Sequence, residues 1–251
     1  MSLTTSPLQD TIVFFQGAGR APGPALVRSL AAQGARVAAC DLSPALLNPL
    51  EAAGPGLSGQ IRAYVGDTAR GMPARAILDE VAEDWGPVEI LINNPRIALN
   101  TSILQTDEWD WQHTIEANLN GTFLLTHLIG RQMAEQGSGG VMINLIAAPT
   151  PGLTVPGRAA YAASQMGLLA LTRAAAQEFK AYNIRVYGVC VDEDENAGDQ
   201  AARLWKGEVS PQDPSLRLLF SLEELIVFLC SPSAAHLPGQ VLQPDAAWVQ
   251  E

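Results

Sequence analysis

The chain has 251 residues, 47% of them hydrophobic and 16% charged, and a formal net charge of −11. This balance excludes a disordered chain, and the length suffices for one large α/β unit with a well-buried core. The acidic excess argues against nucleic acid as a partner, and no apolar run approaches the roughly 18 residues that a membrane span needs.

Short apolar runs alternate with helical segments along the chain. TIVFF (11–15) predicts a first strand followed by a helix near 22–33, and RVAAC (36–40) a second followed by a helix near 44–53. IRAYV (61–65) precedes a helix near 73–85, and EILIN (89–93) precedes a long one near 107–135. VMINLIA (141–147) precedes a helix near 158–181, and IRVYGVC (184–190) follows. A helix at 221–230 and a short strand at 239–243 close the pattern. The strand runs are almost continuously apolar, as strands covered on both faces require. Alternating βαβα order implies an α/β Rossmann fold, a doubly wound parallel sheet of about seven strands with helices on both faces. No repeat or linker divides the chain, so residues 1–251 are expected to form a single domain. The irregular stretch is 192–215, which breaks the apolar periodicity and carries a run of acids.

Cys40, Cys190 and Cys230 fall in apolar contexts without metal-ligand spacing, so they read as buried structural thiols and no metal site is expected. A reducing cytoplasm fits them. The N-terminus, MSLTTSPLQD, has no basic region leading into an apolar stretch, so no secretory leader is expected. His113, His127 and His236 share no spacing, and Trp109, Trp111 and Trp205 read as packing residues at interfaces.

After the first strand comes QGAGRAPG (16–23), leading into a helix. A glycine turn there suits a dinucleotide pyrophosphate, because the helix N-terminus presents free N–H groups and glycine lets the backbone come close. Asp41 ends the second strand 24 positions after Gly17. A carboxylate there accepts ribose hydroxyls and repels a 2′-phosphate, favouring NAD over NADP. The alternative is that the glycines only make a tight turn and Asp41 caps the next helix.

Over nearly its whole length the chain resembles the short-chain dehydrogenase/reductases. The family's TGxxxGxG pattern falls on Gln16, Gly17, Ala21 and Gly23, with Gly19 inside the turn. Its adenine-contacting acid falls on Asp67, its NNAG segment on Asn93, Asn94, Pro95 and Arg96, and its helix asparagine on Asn118. Its YxxxK motif falls on Tyr161 and Gln165, and its late GQVLxxD segment on Gly239 to Asp245. The resemblance implies NAD-dependent hydride transfer at a carbonyl or alcohol carbon. The tyrosine would move the oxygen-bound proton, a serine would bond the substrate oxygen, and the asparagine would position a water. The lysine would lower the tyrosine pKa and hold the nicotinamide ribose.

Several positions depart from that pattern. Ala21 replaces a glycine where backbone meets phosphate, and Pro95 and Arg96 replace a small pair beside the cofactor. The family's Pro-Gly near the nicotinamide falls on Val191 and Asp192, with Glu193, Asp194 and Glu195 next. Arg96 has two readings beyond a solvated loop residue: it pairs with the pyrophosphate, or it occupies the cleft. NAD binding is expected to be weak or lost. The serine position is Ala148, with Thr150 the nearest hydroxyl, and the lysine position is Gln165. Gln165 lies one turn from Tyr161 and can donate to a ribose oxygen, but it supplies no charge. A tyrosine pKa near 10 then lacks the cation that would lower it, and catalysis is expected to be impaired. Tyr161 becomes either a surviving acid/base or a packed aromatic, and Asn118 either a relay residue or a brace at a helix irregularity. An active oxidoreductase using Tyr161 with an unusual partner, and a lyase or dehalogenase reaction on the same scaffold, stand as alternatives. The resemblance also implies a homodimer or homotetramer through helices 107–135 and 158–181, and a substrate lid at 192–215. The substrate itself is unknown.

Overall fold

Continuous apolar runs become seven parallel strands in the computed structural model, which describes residues 7–147, 156–191 and 214–242. They are β1 (Ile12–Gln16), β2 (Arg36–Asp41), β3 (Gln60–Val65), β4 (Ile90–Asn93), β5 (Gly140–Ala147), β6 (Ile184–Val191) and β7 (Val241–Leu242). The sheet order is β3-β2-β1-β4-β5-β6-β7. Between the strands run α1 (Gly23–Ala32), α2 (Pro44–Ala52), α3 (Gly71–Asp84), α4 (Glu108–Ile115), α5 (Gly121–Gln136), α6 (Ala159–Glu178) and α7 (Pro214–Cys230).

Alternation along β1 shows how the two faces are covered. Val13 and Phe15 join a core with Leu26, Leu30, Leu47 and Ile226, from α1, α2 and α7. Ile12 and Phe14 join the opposite core with Ile77, Val81, Leu125 and Ile129, from α3 and α5. Successive strand side chains point to opposite faces, so a strand sandwiched between helix layers must be apolar at every position. Phe14 and Phe15 are both fully buried, each contributing about 1.5–3 kcal/mol by burial alone.

Two predicted elements change. The helix expected over 107–135 is α4 and α5 joined by a π-helical turn, Glu116–Asn120. The helix expected from 221 starts at Pro214, so the last two residues of the irregular 192–215 stretch open α7 and the rest lie outside the described residues. Among the described residues, no helix is long and apolar enough to cross a membrane.

The three thiols are all buried. Burial pushes Cys40 and Cys230 up to about 12, with Asp41 and Asp67 adding to the rise at Cys40 and Arg185 opposing it at Cys230. Because these folded-state values lie above an unfolded thiol's roughly 8.5, the native state holds protons that the unfolded chain releases. Stability is therefore complete below about pH 8.5 and falls as pH rises towards 12. Urea midpoints are expected to be flat from pH 7 to 8 and to decline above about 9, with a shallower decline in Cys40→Ala. An equally steep decline in that variant would remove Cys40 from the account.

Candidate active site at the sheet switch point

Strand order reverses between β1 and β4: α1 leads outward to β2, whereas α3 returns the chain across β1 to β4. In an open α/β sheet the crevice beyond the strand C-termini at such a reversal is where a dinucleotide lies, its pyrophosphate at the first helix N-terminus. The loops after β1 and β4 line that crevice, carrying Gly17–Gly23 and Asn94–Arg96 respectively.

The adenosine side fits the group. Asp41 sits at the end of β2, with Oδ2 accepting from the Gly19 N–H at 3.2 Å and Oδ1 from the Ser43 N–H at 3.3 Å. Each carboxylate oxygen keeps a lone pair for a ribose hydroxyl. Asp67 lies two strands out, where Oδ1 accepts from the Ala69 N–H at 2.9 Å. Gly17 has φ +71°, and a Cβ there would run into the Asn94 carbonyl, so glycine is required on both counts.

The pyrophosphate side fits poorly. Gly17 and Ala18 donate their N–H groups to the Cys40 carbonyl, and Gly23 donates to Arg20 O at 2.7 Å. Pro22 and Pro24 have no N–H to offer. The dipole of α1 still points at the crevice, but few of the backbone donors that make a helix N-terminus an anion site remain. Ala21, in place of a glycine, turns its carbonyl to Arg96, whose Nη1 donates to it at 2.8 Å. Asn94 Nδ2 donates to Gly17 O at 2.9 Å and Arg20 O at 3.0 Å, tying the β4 loop to the same turn.

Tyr161 lies in the first turn of α6, 2% exposed, packed against Ala147 at the end of β5. Burial pushes its phenol above the ordinary value, while the charge of Arg96 and a hydrogen bond from it pull the other way, with a smaller pull from Arg158. Burial wins, so the hydroxyl holds its proton more tightly than a free tyrosine. Ala148 and Thr150, the expected serine position and its nearest hydroxyl, lie outside the described residues, as do Asp192, Glu193, Asp194, Glu195 and Asp245.

Gln165 is one turn further along α6 and 0% exposed. Its Oε1 accepts the Ala147 N–H at 2.9 Å, which fixes the orientation of the amide, and its Nε2 donates to Pro95 O at 3.2 Å. The amide ties the end of β5 to the loop after β4. Its donor is directed to protein backbone, not left pointing towards a ribose.

Asn118 is equally buried, in the middle of the π turn. Its Oδ1 accepts the Ile97 N–H at 2.9 Å, and its Nδ2 donates to Ile97 O at 2.8 Å and Ser164 Oγ at 3.1 Å. Its main-chain carbonyl accepts from Thr122 Oγ1 at 2.8 Å. Ser164 Oγ donates in turn to Tyr161 O at 2.7 Å. Asn93 Nδ2 donates to Asn144 Oδ1 at 2.8 Å, and Asn144 Nδ2 donates to Thr172 Oγ1 at 2.8 Å, so Asn93 braces β4 and β5 beneath the crevice.

The structure thus brings Tyr161, Gln165, Asn118, Asn93 and the glycine turn around one crevice. Asn144 and Ser164 complete it, and sequence reasoning missed both. A polar residue inside the apolar run VMINLIA was the available signal for Asn144, since a buried amide must find partners. Among the described residues, no three His, Cys, Asp or Glu side chains are grouped to hold a metal ion.

Residues 11–193 match the profile of the short chain dehydrogenase family. A D-threitol dehydrogenase of Mycolicibacterium smegmatis is 28% identical over 250 residues, covering 96% of this chain and 94% of the relative. A 3-oxoacyl-(acyl-carrier-protein) reductase of Thermotoga maritima is 27% identical over 245 residues, covering 96% and 99%. The crystal structure of an NAD+-bound xylitol dehydrogenase superposes with a TM-score of 0.78 at 22% identity, covering 94% of this chain and 98% of that one. The chain belongs to the short-chain dehydrogenase/reductase family, whose members are oxidoreductases that typically bind a nicotinamide cofactor.

Proposed function

We propose that this chain is an NAD-type member of its family whose hydride-transfer chemistry is impaired. The observation that carries this is Gln165, a fully buried amide with both ends bonded to backbone where the family places a cation. Bound nicotinamide dinucleotide would supply or accept the hydride. The protein's share is to place the ribose and move a proton at the substrate oxygen. Asp41 supports the preference for NAD, because its carboxylate would repel a 2′-phosphate. At Tyr161 the proton is held tightly by a buried phenol, which makes a poor base near neutral pH. Cytoplasmic location and self-association through the helices at 107–135 and 158–181 belong to the same reading.

A second reading has one specific observation in its favour. Arg96 brings positive charge near Tyr161, and a working oxidoreductase would use it in place of the missing lysine. The two readings part on Tyr161→Phe. A screen of short polyols and 3-oxoacyl thioesters with NAD and NADH, chosen from the named activities of the relatives, is expected to give turnover within about threefold in the two proteins. General acid–base catalysis is worth about 10²- to 10⁴-fold. A loss of about a hundredfold or more in the variant would overturn impairment and favour the Arg96 reading.

A further inference from the structure

We propose that Arg96 is a latch across the switch-point crevice, holding shut the half of the site that the pyrophosphate and nicotinamide of a dinucleotide would fill while leaving the adenosine half open. The inference rests on the NAD-type reading of the site and adds what limits its occupancy.

Arg96 stands three residues beyond β4, on one wall of the crevice. Its Nη1 reaches Ala21 O on the opposite wall, at the α1 N-terminus, at 2.8 Å. The same guanidinium lies near the Tyr161 hydroxyl at the start of α6, close enough for its charge to lower the phenol pKa. These anchors mark the two ends of the path that a dinucleotide follows from its pyrophosphate to its reactive ring. A guanidinium bonded to the first and near the second lies along that path.

The latch has support on each side. Asn94 ties the β4 loop to Gly17 O and Arg20 O, holding the base of Arg96 near the turn. Gln165 holds Pro95 O, next to Arg96 in the chain, against α6. Pro22 and Pro24 remove N–H groups that would otherwise draw an anion to the turn. Asp41 and Asp67 lie on the β2–β3 side, beyond the span between Ala21 and Tyr161, so the latch does not cover them.

A dinucleotide can fill the second half only by displacing the bond from the Arg96 guanidinium to Ala21 O, which involves a charged donor. Each such bond is worth roughly tenfold or more in an equilibrium constant. NAD should therefore bind the wild type no better than about threefold over AMP, since its second half gains nothing net. Arg96→Ala should bind NAD at least about tenfold tighter, with AMP unchanged within about threefold.

The test is calorimetric titration of full-length wild type and Arg96→Ala with NAD and with AMP. Arg96→Met, which keeps the aliphatic stem and loses the donors, stands in should Arg96→Ala not fold. A selective gain for NAD in either variant is the expected result. Weaker or unchanged NAD binding would overturn the latch, because Arg96 would then be a pyrophosphate ligand or a bystander. A parallel gain for AMP would also overturn it, since the effect would not be confined to the second half. Failure of every protein to bind either ligand at millimolar concentration would overturn the NAD-type reading together with the latch.

Discussion

Gln165→Leu is expected to lower the melting temperature by about 5–15 °C. The substitution keeps the volume roughly constant and removes both hydrogen-bonding ends from a site with no solvent access. The Ala147 N–H and the Pro95 carbonyl then lose their partners. An orphaned buried polar group costs about 1–3 kcal/mol, and a domain of this size loses about 2–4 °C per kcal/mol. Thermal unfolding followed by circular dichroism checks the value. A shift below about 2 °C would mean that the amide does not bridge β5 and the β4 loop.

Gln165→Lys bears on the same point from the other direction. An ammonium could donate to Pro95 O, but it has no acceptor for the Ala147 N–H and brings a charge into a closed site. Gln165→Lys is therefore expected to destabilise the fold. The backbone around position 165 is arranged for an amide.

The second large effect is expected at Gly17. Gly17→Ala should cost about 2–5 kcal/mol, from a left-handed backbone that disfavours a side chain and from overpacking. Its new Cβ would press on the Asn94 carbonyl, which belongs to β4's exit loop and has no room to retreat while Asn94 is bonded to the same turn. Gly137→Ala is the internal control. Gly137 has φ +69° and open space where a side chain would start, so it carries the conformational cost alone, about 1–2 kcal/mol. Urea denaturation of the two variants should separate them by at least 1 kcal/mol or so, and equal losses would dismiss the contact with Asn94.

Much of the fold was legible because its code is short-ranged. Runs such as VMINLIA are buried along nearly their full length, and the helix–strand alternation reads directly as a doubly wound sheet. The turn at Gly17 and the strand end at Asp41 were legible for the same reason. What stayed hidden depends on distant partners or on small shifts of pitch. A π turn inserts one residue into a helical period, and the apolar spacing over 107–135 carries no clear mark of it. The start of α7 was placed late, although Pro214 at the first helical position was a usable signal. Gln165 was singled out from its place one turn after Tyr161, but its bonds reach residues 18 and 70 positions away. Arg96 was legible as a departure from the family's small residue, and its partner at Ala21 was not, because 75 residues separate them.

The central place of β1 also bears on how the chain leaves the ribosome. Its outer edge pairs with β2 only 24 residues on, Ile12 with Arg36, whereas its inner edge waits for β4, Val13 with Ile90. A nascent chain that has emerged through α3 can already form the β3-β2-β1 half-sheet, yet it presents an unpaired strand carrying Phe14 and Phe15. Open edges of that kind recruit other strands. β4, Ile90–Asn93, closes that edge soon after α3, but its own outer edge then stays open until β5 begins at Gly140, so the longer exposure to association falls between those two strands.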